Sequence, residues 1–137
     1  MHTMRPTVDG VWADLHERVG DDLRAVTRYE SREFETRMRE DVRERYTDDE
    51  DRAIVDDVIV RQLGLLDTER RFDAGRLEAN VNVFEHAWVI AWPDGLPSKS
   101  GFIVSIQRGG DATTIEDVEA CIGYLNEEVR PTLGEGG

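Results

Sequence analysis

The chain has 137 residues, 30 of them acidic and 17 basic, for a formal charge of −13. That length suits one domain rather than two, and no apolar run approaches the roughly 18 residues of a membrane span. The single cysteine, Cys121, excludes an internal disulfide framework and fits a reducing compartment.

Of the 17 basic residues only Lys99 is lysine. This balance is expected of a protein kept soluble in molar salt. At about 1 M salt the Debye length is near 3 Å, so dense carboxylates barely repel one another, and they keep the surface hydrated. The opening MHTMRPTVDG lacks the apolar stretch of a signal peptide, which sets the expectation of a cytoplasmic protein.

Residues 1–7 are expected to fray, as is the Gly-rich tail 131–137, leaving one domain over 8–130. Val8, Val11, Trp12, Leu15 and Val19 share a helical face that stops at Gly20. Leu23–Tyr29 then alternates like a strand. The next stretch, RYESREFETRMREDV, fits two periods at once. Phe34, Met38, Val42 and Tyr46 recur every four residues, while Phe34, Thr36 and Met38 alternate with charged residues. Thr47 and Glu50 form a capping box that starts a fresh helix. A continuous helix through 28–66 is therefore disfavoured, and 33–39 is read as the second strand of a hairpin, followed by a helical turn near 40–46.

The helix opened by Thr47 carries Ile54, Val55, Val58, Ile59, Leu63 and Leu66, a stripe wide enough to lie deep in the core or to meet another chain. Leu77–Phe84 alternates cleanly, Ala87–Trp92 makes a fourth strand, and Pro93-Asp94-Gly95 is a strong turn. Gly101–Arg108 is the fifth strand. Thr113 and Glu116 cap a last helix with Ile115, Val118, Ile122, Leu125 and Val129 on one face. The order α-β-β-α-β-β-β-α implies an α+β sandwich, a five-stranded antiparallel sheet covered by helices.

That order of elements resembles the roadblock/longin-like family of small regulatory domains across about residues 8–130. The stretches MREDVRERYTDDEDRAIVDD (38–57) and VNVFEHAWVIAW (81–92) are also similar to small acidic proteins of halophilic archaea, a likeness that carries no known chemistry. The roadblock resemblance implies a homodimer joined through the central helix and the edge of the sheet. It also implies a regulatory partner, commonly a small GTPase, and transfers no catalytic residue.

The chemistry-bearing residues are sparse. His86 beside Glu85 lacks a second His or Cys at ligand spacing and reads as a solvated turn histidine. Cys121 falls among Ile115, Val118 and Ile122 and reads as a buried hydrophobe. Asp48-Asp-Glu-Asp51 lacks the alternating oxygens and glycine of a calcium loop, and a helix N-terminus explains its charge. Gly109-Gly-Asp-Ala-Thr113 precedes a helix but carries no phosphate-loop pattern. Neither GxSxG nor HExxH occurs.

No catalytic residue, cofactor or metal ligand is therefore assigned. Arg37, Arg39, Arg43 and Arg45 are the candidate nucleic-acid contacts, though interleaved acids favour surface ion pairing. Ile54, Val55, Val58 and Ile59 with Trp88 and Trp92 are the candidate interface, because exposed aromatics mark contact surfaces. The expected function is a non-enzymatic homodimeric regulatory or scaffold domain acting by protein–protein contact. The alternatives are a small-molecule sensor, with its ligand between sheet and helix near Trp88 and Phe102, and a transcription-associated DNA-binding protein.

Overall fold

A computed structural model of the chain describes residues 7–31, 33–96, 98–109 and 113–134. Helix α1 (Val8–Val19) starts where the Thr7 hydroxyl accepts the Gly10 amide at 2.9 Å, and ends at Gly20, whose φ of 59° suits glycine. Strands β1 (Leu23–Glu30) and β2 (Glu33–Met38) form the expected hairpin, turned at Ser31. A short α2 (Glu40–Arg43) leads to α3 (Asp48–Gln62), opened by the reciprocal Thr47–Glu50 box. Strands β3 (Asn80–Val83), β4 (Ala87–Pro93) and β5 (Ser100–Gln107) follow, then α5 (Ile115–Tyr124), a wide π turn (Leu125–Val129) and α6 (Arg130–Gly134).

Several boundaries differ from the sequence reading. The third strand begins at Asn80, three residues after the expected Leu77, and ends at Val83 rather than Phe84. The second long helix breaks at Leu63-Gly64, and a separate α4 (Leu65–Phe72) follows, ending at Asp73 in the left-handed region. The last capping box is set one residue later than expected, with the Asp117 carboxylate accepting the Thr114 amide at 2.9 Å. Helical structure runs on to Gly134, into the expected tail, while residues 1–6 and 135–137 lie outside the described residues.

All five strands pair antiparallel in the order β2-β1-β5-β4-β3, and helices flank the sheet. Its two faces are built differently. Phe102, Val104 and Ile106 of β5, with Trp88, Ile90 and Trp92 of β4, join Val26 and helices α1 and α5 in the main core. Most alternate positions on the same strands are small or polar, namely Ala25 and Thr27 in β1, Ala87 and Ala91 in β4, and Gly101 and Ser105 in β5, with Tyr29, Val89 and Ile103 the larger ones. This face meets α3 through a small cluster centred on Tyr29, Val55 and Ile103, with Phe34, Val58, Ile59 and Val89 against it.

Candidate functional site

The contrast between the two faces leaves a gap under α3. Large side chains fill the space between the sheet and α1/α5. Small ones cannot fill the space of about 10 Å between a sheet and a helix axis packed on it. A cleft of about 680 Å³ results, within the range of small-molecule sites. Its floor runs across the whole sheet, because Met38, Ala25, Ser105, Val89 and Asn82 lie in register, one from each strand. Val42, Tyr46, Ala53, Ile54 and Val58 supply the far walls. A second hollow of about 320 Å³ continues towards the C-terminal end of α3, past Tyr29, Gln62 and Ala91.

Helix α3 is tied down at both ends and spans the cleft between them. Near its start, Asp51 is buried and accepts from Arg43 Nη2 at 2.8 Å, while its Oδ1 is closed off from solvent with no partner among the described residues. At its end the buried Gln62 accepts from the Tyr29 phenol at 2.5 Å and donates to the Ser98 carbonyl at 2.7 Å and the Ser100 carbonyl at 3.2 Å. Burial pushes the Tyr29 phenol above its ordinary range, helped by the nearby Asp94 carboxylate and opposed by Arg28. Tyr29 therefore remains a donor throughout the neutral range.

The polar lining is sparse and positioned. Thr27 and Thr36, directly opposed on β1 and β2, share a hydrogen bond at 2.8 Å. Arg24 Nη1 lies 3.5 Å from Ser105 Oγ. Glu85 and His86 sit exposed at one mouth, 3.6 Å apart. Among the described residues no three His, Cys, Asp or Glu side chains converge as metal ligands do.

The structure distributes the sequence-derived candidates over different places. Trp88 and Trp92 are not a binding surface: both are buried in the main core, and Trp92 is fully enclosed, with its indole N–H donating to Asn126 Oδ1 at 2.9 Å. Val55 is likewise buried, under α3. Ile54 is 39% exposed and lines the cleft with the half-buried Val58, while Ile59 packs in the Tyr29 cluster. The candidate nucleic-acid arginines do not form one open patch. Arg37 stacks on Trp12 and pairs with Asp9, Arg39 grips Asp41 through two nitrogens, and Arg43 holds Asp51. The Arg39 guanidinium holds the Asp41 carboxyl below its usual range. Arg45 is exposed. Cys121 is fully buried, and burial pushes its thiol up to about 11, which makes it inert at neutral pH.

The cavity also lies on the opposite side of the sheet from Trp88 and Phe102, both of which face α1 and α5. Sequence reasoning missed Arg24, Ser105, Tyr46 and the two threonines. The available signal was the alternation in AWVIAW and GFIVSIQ, in which Ala87, Ala91, Gly101 and Ser105 on one face stand between the larger Trp88, Ile90, Trp92, Phe102, Val104 and Ile106 on the other.

An antiparallel α+β sandwich with one filled face and one hollow face is the class of domain these features define. The chain belongs to the family DUF7522, a domain of unknown function, whose model matches residues 9–130. No curated protein and no solved structure matches it.

Proposed function

We propose that the domain is a cytosolic regulatory module that binds a small molecule in the cleft between α3 and the sheet. The observation that carries this reading is the cleft of about 680 Å³ over an in-register floor with small residues, Ala25 and Ser105, at its middle, beneath a helix held by buried polar contacts near both ends. A cavity that merely reflected poor packing would be relieved by the helix sinking onto the sheet, and the buried Gln62 and Asp51 contacts oppose that motion. Ligand-observed NMR on a mixed small-molecule library tests it, comparing the native chain with Ser105→Leu, which places a larger side chain in the middle of the floor. Compounds whose signals respond to the native chain and not to the filled variant support the reading. A library with no such compound overturns it.

A second reading, a homodimer acting by protein contact, is favoured by one observation. Strand β3 is a free sheet edge of four uncharged residues, with Val83 and Phe84 at its end 57% and 55% exposed. The other edge, β2, is guarded by Glu33, Glu35 and Arg37, as edges that avoid pairing usually are. Val83→Lys should then give monomers by light scattering at high salt. An unchanged mass would remove β3 as the contact.

A further inference from the structure

Arg24 is the extra residue of a β-bulge. Leu23 pairs with Ile106 and Ala25 with Ser105, so two steps along β1 match one step along β5. A bulge re-aims a side chain that plain alternation would send to the other face. In an unbroken strand Arg24 and Ala25 would point to opposite faces. Here both line the cleft, and the Arg24 guanidinium reaches to 3.5 Å from Ser105 Oγ on the floor.

Two carboxylates of the lining have an arginine of their own: Asp51 has Arg43 at 2.8 Å and Asp57 has Arg61 at 2.8 Å, while Glu85 lies exposed at the open mouth beside His86. Arg24 has no carboxylate within ion-pairing distance among the described residues. In a chain where acids outnumber bases by 30 to 17, a half-buried arginine without an acid partner is an uncommon arrangement. Among the described residues its guanidinium has one long side-chain contact, to Ser105 Oγ at 3.5 Å, and an incoming anion would give it a charge-assisted partner in a partly desolvated site.

We infer that the cleft binds a small organic carboxylate, with Arg24 holding the carboxyl group and the apolar floor and walls holding an aliphatic or aromatic body. The inference rests on the ligand-binding reading and adds the chemical class. A carboxylate matches a single planar guanidinium through two parallel hydrogen bonds, and Ser105 Oγ stands beside the same group as a further donor. A phosphate would call for more cations or a cradle of backbone amides, and among the described lining residues Arg24 is the one arginine. The body of the ligand would lie along Met38, Val42, Val58, Val89 and Ile103.

The experiment is a titration of the isotope-labelled full chain with hexanoate, hexanamide and hexylamine at constant ionic strength, followed through the amides of Ala25, Val89 and Ser105. Benzoate and benzamide serve as an aromatic pair. The expected result is that the acids bind about tenfold or more tightly than their amides, as a charge-assisted bidentate contact should give. The amine should be weakest. Arg24→Gln should abolish the preference for acid over amide, while Arg45→Gln should leave it intact. The comparison of acid with amide on the native chain needs no variant to fold. Equal binding of acid and amide, or a preference that survives Arg24→Gln, overturns the carboxylate inference while leaving the cleft a binding site. Failure of all five probes to move the floor amides overturns the inference too, and the library comparison with Ser105→Leu then decides separately whether the cleft binds anything.

Discussion

The Tyr29 phenol in β1 donates to Gln62 Oε1 in α3 at 2.5 Å, across the gap between sheet and helix. The same glutamine spends its amide protons on the carbonyls of the β4–β5 connection. One buried side chain thereby fixes the height of α3 above the sheet and the position of the loop beside it.

Gln62→Leu keeps the volume and removes every one of these bonds, leaving buried polar groups unpaired. It should cost about 2–3 kcal/mol, and Tyr29→Phe about 1 kcal/mol. Urea unfolding measures both. Hydrogen exchange should show α3 amides losing protection in Gln62→Leu more than those of α1, which packs on the other face.

Filling the cleft should stabilise the fold. Ser105→Val adds apolar contact and strand propensity at a site with space around it, and is expected to gain about 0.5–1 kcal/mol. A higher melting temperature together with weaker binding of the carboxylate probes is the expected pair of results. Destabilisation would mean that the floor is already in contact with its roof.

Gly101 in β5 has no room for a side chain. A Cβ there would lie 2.3 Å from the Trp92 carbonyl oxygen, 2.7 Å from the Tyr29 hydroxyl and 2.9 Å from the Pro93 Cα. Gly101→Ala must push β4 away or displace Tyr29 from Gln62, and should cost about 2 kcal/mol or more. Circular dichroism melting checks this, with Gly95→Ala as the mild comparison, since its nearest neighbour is the Ser98 hydroxyl at 3.4 Å.

Alkaline pH should weaken the fold partly through Cys121. Its thiol is raised by burial from an ordinary 9.0 to about 11, so the unfolded chain releases its proton first. The contribution is complete below about 9 and falls away as pH rises from about 9 to about 11. The Tyr29 and Tyr124 phenols, also raised by burial, push in the same direction at still higher pH. Cys121→Ala should flatten the decline of stability between these values. Thiol reagents at neutral pH should react with the native chain only as fast as it opens.

Most of the architecture was legible because local signals agreed with one another. The ambiguous stretch 28–42 resolved as a hairpin once Thr47 was recognised as a fresh start, and residues 33–38 each pair with β1. Alternation showed that Trp88 and Trp92 share a face, but could not tell which face the rest of the chain would cover. The deciding partners, Val118, Leu125 and Val129, sit some thirty or more residues further on and act through tertiary packing. The break at Gly64 is also a packing result, since Leu63 and Leu66 continue the helical period across it. Arg24 was illegible for a different reason: a bulge is a mismatch between two strands, and neither strand records it alone.

A roof held at both ends has a kinetic consequence. The cavity stands open before anything enters, so association need not wait for a rearrangement, and release need not wait for one either. On the proposed ligand-binding reading, discrimination would come from the shape of the floor and from Arg24 rather than from closure around the right guest. A receptor built that way would equilibrate quickly with its surroundings and report concentration as it changes, which suits a gauge better than a store.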